Sequence, residues 1–248
     1  MQAPKDRFSS QSAAYRQFRP QYPPELYAFL LNQVQGRERA WDCGTGNGQV
    51  ASQLAGHFAE VAATDISQKQ LQQATPLPNV HYSLSRAEQT PFPDRHFNLI
   101  TVAQALHWFD FVAFFAEVQR VARPGALLAV WGYGLLRIGP AIDALLDHFY
   151  MQVVGPYWDA ERRHIDAAYT SIPFPFAEME APPPFAIRQQ WHLAQVEGYL
   201  STWSAVRNYQ QEKGANPLPE LVQQLSPLWG AQALREVRFP IFMRLARL

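Results

Sequence analysis

Apolar runs and helically spaced apolar positions take turns along this chain, and turn residues punctuate them. Pro23-Pro24-Glu25 opens a helix to about Gln35, with Leu26, Phe29, Leu30 and Val34 at helical spacing. Arg39–Cys43 reads as a strand, residues 44–48 as a glycine turn and residues 49–57 as a helix. Glu60–Asp65 is a second strand, after which Ser67 suits the cap of a helix to about Ala74. Asn79–Leu84 makes a third strand and Phe97–Ala103 a buried fourth. Residues 111–122 form an amphipathic helix stopped by Arg123-Pro124-Gly125, and Ala126–Trp131 is a fifth strand. Strands and helices alternating at these intervals indicate a doubly wound parallel sheet.

From about Leu135 to Pro184 the rhythm changes. Helical segments near 140–153 and 161–170 lead into a stretch with Pro173, Pro175 and Pro182 to Pro184, which reads as a cap inserted beside the sheet. Phe185–Leu193 is a sixth strand, and residues 196–209 a helix with Tyr199, Trp203 and Arg207 on one face. Another helix spans Pro217–Leu225, and Val237–Leu248 is a final strand in which Pro240 suggests an edge position. Residues 7–23 mix aromatics and arginines as a loosely helical arm. The layout is a single domain: arm and helix over 1–35, core over 36–134, cap over 135–184, and C-terminal strands and helices over 185–248.

The stretch Trp41-Asp42-Cys43-Gly44-Thr45-Gly46-Asn47-Gly48-Gln49 organises the rest. Glycines tolerate positive φ and let a ligand approach the backbone. A dinucleotide site wants G-x-G-x-x-G; here the third glycine comes one position early and Gln49 stands in its place. Asp42 before the turn suits a cation, and amides at the helix start suit an anionic group. A zwitterion such as an amino acid would use both. Asp65 lies 23 residues after Asp42, near the interval of about 20 at which an acid meets ribose hydroxyls.

Composition narrows the class. The chain has 248 residues, 48% of them hydrophobic, which is ample for a core, and a formal net charge of zero. A pI near 7.1 offers no footprint for nucleic acid. The lone cysteine, Cys43, excludes an internal disulfide framework and fits a reducing, cytoplasmic setting. The polar N-terminus lacks a signal-peptide core, and the apolar run at 121–136 is interrupted by Arg123-Pro124-Gly125. No cysteine–histidine array suggests zinc, and Glu161-x-x-His164 has no second copy to complete a metal site.

Five motifs in order resemble the class I S-adenosylmethionine-dependent methyltransferases: the glycine turn, Ala63-Thr64-Asp65-Ile66-Ser67, Ala87-Glu88 with Pro91-Phe92-Pro93-Asp94, Val102 to Asp110, and Arg123-Pro124-Gly125. The likeness lies within the small-molecule branch of ubiquinone/menaquinone-type enzymes, and Ala105-Leu106-His107-Trp108-Phe109-Asp110 is similar to the trans-aconitate-type members. The resemblance implies a Rossmann-like, mainly parallel seven-stranded sheet with a helical cap after the fifth strand. It implies that Gly44, Thr45, Gly46 and Gly48 hold the methionine moiety, with Asp42 near its amine. Asp65 would bind the ribose, Ile66 the adenine face, Ala87 and Glu88 the adenine edge, and Ala103 and Gln104 the region of the sulfonium. Arg86 stands where many relatives carry an acid, and Asn98 replaces the common aspartate of the fourth strand.

A sulfonium methyl is already electrophilic, so such a protein chiefly orients the reactants. A base is needed only when the acceptor is protonated at neutral pH. The acceptor-side candidates are His107 as base or positioning group, and Tyr15, Arg19, Tyr22, Trp108, Trp203 and Arg207 as binding residues. The expected function is methyl transfer to a small organic acceptor, a carboxylic acid by preference, by a monomer or homodimer with no nucleic-acid or membrane partner. A nicotinamide-dependent oxidoreductase and a noncatalytic S-adenosylmethionine-binding protein are the alternatives.

Overall fold

The computed structural model describes residues 20–231 and 233–248. Among these residues seven strands form one sheet: β1 (Arg39–Cys43), β2 (Glu60–Asp65), β3 (Val80–Leu84), β4 (Phe97–Ala103), β5 (Ala122–Tyr133), β6 (Ala186–Trp191) and β7 (Arg235–Arg247). Their order is β3-β2-β1-β4-β5-β7-β6. The first five pair parallel, and β7 runs antiparallel to both β5 and β6. This is the mainly parallel, Rossmann-like architecture that the alternation implies.

All seven residues of β4 are buried, because helices cover both faces of a parallel sheet and its central strands have no solvent side. Alternate residues serve opposite faces. Leu99, Ala129 and Trp131 join the core that holds Leu26 and Leu30 of α1 (Pro24–Gln33) and Val50 and Leu54 of α2 (Gln49–Leu54). Ile100, Val102 and Val130 join Trp41 and the Phe114 and Val118 side chains of α4 (Phe111–Val121). Asn98 is a structural tie: its Oδ1 accepts the Arg39 N–H at 3.1 Å and its Nδ2 donates to the Gln35 carbonyl at 3.1 Å. No helix among the described residues is long and apolar enough to cross a membrane.

The chain leaves β1 toward β2 on one side, while β4 flanks it on the other. That reversal opens a crevice at the carboxyl ends of the strands, where ligands of open α/β sheets bind. Asp42, Asp65 and Ala103 all lie at this edge.

Four local readings need correction. Ser67 precedes the short α3 (Gln68–Leu71) without a side-chain cap; its carbonyl accepts the Gln70 and Leu71 amides instead. The expected helix over 196–209 is two helices, α7 (Leu193–Ser201) and α8 (Ser204–Lys213). The Ser201 and Thr202 hydroxyls bond back to the Gly198 and Tyr199 carbonyls, and Trp203 turns extended at φ −69°, ψ 135°. Tyr199, Trp203 and Arg207 therefore share no single helix face. Pro240 is not on an edge strand, since β7 lies inside the sheet. It stands where β7 passes from pairing with β6 to pairing with β5, so its missing N–H interrupts neither ladder.

Between β5 and β6 come α5 (Pro140–His148), a π-turn over Phe149–Val153, a 3₁₀ turn over Gly155–Tyr157 and α6 (Arg162–Asp166). The last helix before β7 is α9 (Leu218–Trp229), longer than its apolar pattern indicates.

Candidate active site

Gly44, Gly46 and Gly48 all take left-handed φ values, 68°, 58° and 81°, which only glycine adopts without strain. A Cβ on Gly44 would lie 2.6 Å from the Ala105 Cβ, and one on Gly48 would lie 2.6 Å from the Tyr82 hydroxyl. The turn is held from beneath by Asp42, 1% exposed. Its Oδ2 accepts the Thr45 hydroxyl at 2.5 Å and the Ala51 N–H at 3.1 Å, and its Oδ1 accepts the Thr101 hydroxyl at 2.9 Å. The Ala51 amide of the helix start thus faces Asp42. Burial, only partly offset by these hydrogen bonds, raises the Asp42 pKa to about 6.

Asp65, at the end of β2, accepts the Gly46 N–H at 2.8 Å and the Ser67 N–H at 2.8 Å. One carboxylate therefore couples the glycine turn to the next loop. Beside it Ile66 is 39% exposed, an apolar surface at the crevice. Ala87 is buried, and Glu88 accepts the Asp110 N–H at 3.0 Å while pairing with Arg86 at 3.2 Å. Ala103 is buried, and Gln104 has φ +57°. The Gln104 side chain accepts the Tyr133 N–H at 2.9 Å, bridging the ends of β4 and β5. A non-glycine residue held in that conformation costs about 1–3 kcal/mol and marks functional sites. Asn47 Oδ1 and Gln49 Oε1 are buried without a hydrogen-bond partner among the described residues.

The acceptor-side candidates converge in part. His107 is buried in the short 3₁₀ turn after β4; its Nδ1 lies 3.0 Å from the Tyr169 hydroxyl and its ring 4.8 Å from that of Trp108. Burial first, then the Arg162 guanidinium and the nearby His164 ring, lower its pKa to about 3, so its imidazole is neutral at physiological pH. Tyr169 itself takes φ +61°. Tyr22 packs edge-on against Trp131 at 5.6 Å. Trp203, buried between α7 and α8, meets Tyr150 at 5.7 Å and Trp158 at 5.3 Å. Arg207 is a half-buried residue of α8, one turn beyond Trp203. Tyr15 and Arg19 lie outside the described residues.

Tyr150, Trp158, Arg162 and Tyr169 belong to this cluster and were not among the candidates. The one signal for Tyr150 and Trp158 is the density of aromatics from Phe149 to Trp158. His164, noted in the Glu161-x-x-His164 spacing, bonds instead to Ser171 Oγ at 2.8 Å and packs edge-on against Phe111 at 5.3 Å. Cys43 is buried in β1, where burial pushes its thiol pKa far up.

Comparisons with known proteins agree with this architecture. Residues 41–130 match the family model described as a methyltransferase domain. A nominal methyltransferase of Dictyostelium discoideum is 34% identical over 98% of this chain and 95% of its own length. The solved structure of a nominal type II methyltransferase from Anaeromyxobacter dehalogenans is 41% identical, covers 93% of this chain and 98% of its own, and superposes with a TM-score of 0.86. A ubiquinone/menaquinone biosynthesis C-methyltransferase of Psychromonas ingrahamii is 32% identical over 38% of this chain and 41% of its own. At the crevice the structure brings together the buried Asp42 carboxylate, the Asp65 carboxylate that accepts the Gly46 N–H, and the exposed Ile66 side chain. The chain belongs to the class I S-adenosylmethionine-dependent methyltransferases, with S-adenosylmethionine as its methyl donor.

Proposed function

We propose that the protein methylates a carboxylate oxygen of a small organic acid. The observation that carries this reading is His107. Among the described residues it is the histidine at the carboxyl end of β4, and with a pKa of about 3 it is a poor proton acceptor. The nearby Tyr150 and Tyr169 hydroxyls are pushed up by burial, away from use as bases. Asp42, held by Thr45, Thr101 and Ala51 beneath the glycine turn, lies on the side this reading gives to the donor's amino-acid end rather than to the acceptor. Phenols, alcohols and carbon acids need a base poised near neutrality. A carboxylate needs none.

On the donor side Gly44, Thr45, Gly46 and Gly48 would hold the methionine moiety, and Asp42 its ammonium. Asp65 would take the ribose hydroxyls, Ile66 the adenine face and Ala87 with Glu88 its edge, while Ala103 and Gln104 would line the reacting end. Held there, S-adenosylmethionine would supply an electrophilic sulfonium methyl for the acceptor oxygen, with a neutral thioether as the leaving group. His107, held by Tyr169 and packed on Trp108, would position the acceptor without exchanging a proton. Water exclusion and orientation supply the rate, for which effective molarities correspond to about 7–11 kcal/mol.

The Asp42 assignment has a pH signature. Between about 3.8 and 6 the folded protein keeps a proton on Asp42 that the unfolded chain has lost. The contribution of Asp42 to stability therefore falls as pH rises through this window and stays low above it. A ligand ammonium favours the charged form, so binding releases the proton. Calorimetric affinity for S-adenosylhomocysteine is expected to rise between pH 5 and pH 7, and the rise to vanish in Asp42→Asn. An unchanged rise in the variant would contradict the assignment.

The acceptor class is tested by measuring S-adenosylhomocysteine formation with acids, phenols and amines on one carbon skeleton. Turnover is expected with the acids alone. Preference for a phenol or amine would overturn this reading.

A further inference from the structure

We propose that Tyr169 locks His107 in the tautomer that offers Nε2–H to the acceptor, and that Arg244 holds Tyr169 in place to do so. The inference rests on the acid-acceptor reading above. Tyr169 is 0% exposed, and its hydroxyl lies 3.0 Å from His107 Nδ1. Two arrangements satisfy that distance. Either the phenol donates and Nδ1 accepts, or Nδ1–H donates and the phenol accepts. Nδ1 is the one acceptor within hydrogen-bond distance of the Tyr169 hydroxyl among the described residues. In the second arrangement the phenolic proton is therefore buried with no acceptor, which incurs the full desolvation penalty. In the first arrangement both groups are satisfied. The Leu106 and His107 amides also act on the Tyr169 oxygen, as donors that leave its own hydrogen for Nδ1. A neutral imidazole that accepts at Nδ1 carries its hydrogen on Nε2.

The pose of Tyr169 is held from several directions. Ala168 and Tyr169 both have left-handed φ values, 48° and 61°. A bulky residue keeps such a conformation only where its surroundings over-determine it. The Tyr169 N–H donates to the His164 carbonyl at 2.7 Å, and its ring packs edge-on against Phe242 at 5.0 Å. Arg244 of β7 supplies the remaining tie. Its Nη1 donates to the Tyr169 and Ile172 carbonyls at 2.8 Å each. Glu178 binds the same guanidinium at 3.0 and 2.5 Å, and the guanidinium carbon lies 4.4 Å from the Phe174 ring centroid. Arg244 is thus fully engaged, and one of the groups it holds is the backbone of the residue that meets His107.

Geometry places the locked ring beside the glycine turn. That turn meets the chain on both sides of His107: a Cβ on Gly44 would lie 2.6 Å from the Ala105 Cβ and 3.3 Å from the Phe109 ring. His107 Nε2 makes no hydrogen bond to a described residue. An Nε2–H attracts a carboxylate oxygen, whereas the other tautomer would turn a lone pair toward it. A donor on one carboxylate oxygen leaves the second free to attack the methyl. The lock therefore makes His107 a binding group for an anion and removes it as a base.

The test uses the full-length protein saturated with S-adenosylhomocysteine and isotopically labelled at the histidine nitrogens. Two-bond proton–nitrogen correlation spectra distinguish the neutral tautomers, and His107 is the pattern missing from His107→Gln. The wild type is expected to show Nε2–H alone. Tyr169→Phe, which removes only the hydroxyl, should show an exchanging mixture of both tautomers. With S-adenosylmethionine and an acid that the wild type turns over, kcat/KM in Tyr169→Phe is expected to fall about 3- to 10-fold, mainly through KM. Its S-adenosylhomocysteine affinity should stay within about 2-fold of wild type. Arg244→Gln leaves the hydroxyl intact and should give the same mixture, and Arg244→Lys should recover part of the locked form. Nδ1–H or a mixture in the wild type, or an unchanged pattern or unchanged kcat/KM in Tyr169→Phe, overturns the proposal and leaves the acid reading standing. An unaltered tautomer in Arg244→Gln overturns the part given to Arg244. Turnover of phenols or amines and of no acid overturns both readings.

Discussion

Asp65→Ala is expected to weaken S-adenosylhomocysteine binding at least about 100-fold. Two effects combine. The carboxylate is assigned to the ribose diol, and hydrogen bonds to a charged group contribute about 1.5–3 kcal/mol each. It also fixes the loops that would receive the ligand, accepting the Gly46 and Ser67 amides at 2.8 Å each. Alanine removes the ligand contacts and releases both amides, so the crevice loses its preorganisation as well as its hydrogen bonds. Calorimetric titration measures the effect directly. Affinity within about threefold of wild type would show that Asp65 is a loop anchor without a ligand role.

Gly44→Ala is expected to be the most destabilising change in the turn. Gly44 has φ +68°, and an added Cβ would lie 2.6 Å from the Ala105 Cβ and 3.3 Å from the Phe109 ring. The left-handed conformation costs alanine about 1–2 kcal/mol, and overpacking adds about 1–3 kcal/mol. The sum is about 2–5 kcal/mol. For a domain of this size each kcal/mol lowers Tm by about 2–4 °C, so the expected fall is about 5–20 °C. Gly56→Ala is the matched control, since nothing lies within 4 Å of its added Cβ; its Tm should shift by no more than about 2 °C. Equal Tm values for the two variants would refute the steric account of the turn.

The sheet and the glycine turn were legible because their causes are local. Buried parallel strands produce continuous apolar runs, as in Phe97–Ala103, and a left-handed turn requires glycine wherever the backbone reverses, as at Gly44, Gly46 and Gly48. What depends on partners distant in sequence was not legible. Pro240 resembles an edge residue until β7 is seen to exchange β6 for β5 around it. The break at Trp203 comes from two hydroxyls bonding back to carbonyls, an option that a helical apolar pattern does not reveal. His107 reads as a candidate base from its place after β4, and its depressed pKa follows from burial and from Arg162, 55 residues along the chain. Arg162 itself sits in Glu161-Arg162-Arg163-His164, which looks like a solvated helical face. Tyr150 and Trp158 fold over the guanidinium and remove it from water.

The chemistry of the product bond tests the central claim most directly. The protein would be incubated with S-adenosylmethionine carrying an isotopic methyl label and an acid it turns over, and the product treated with mild alkali. A methyl ester is predicted, so the label should leave quantitatively as methanol and the parent acid should be recovered. Label retained through alkali would place the methyl on carbon, nitrogen or an ether oxygen, and would contradict base-free transfer to a carboxylate.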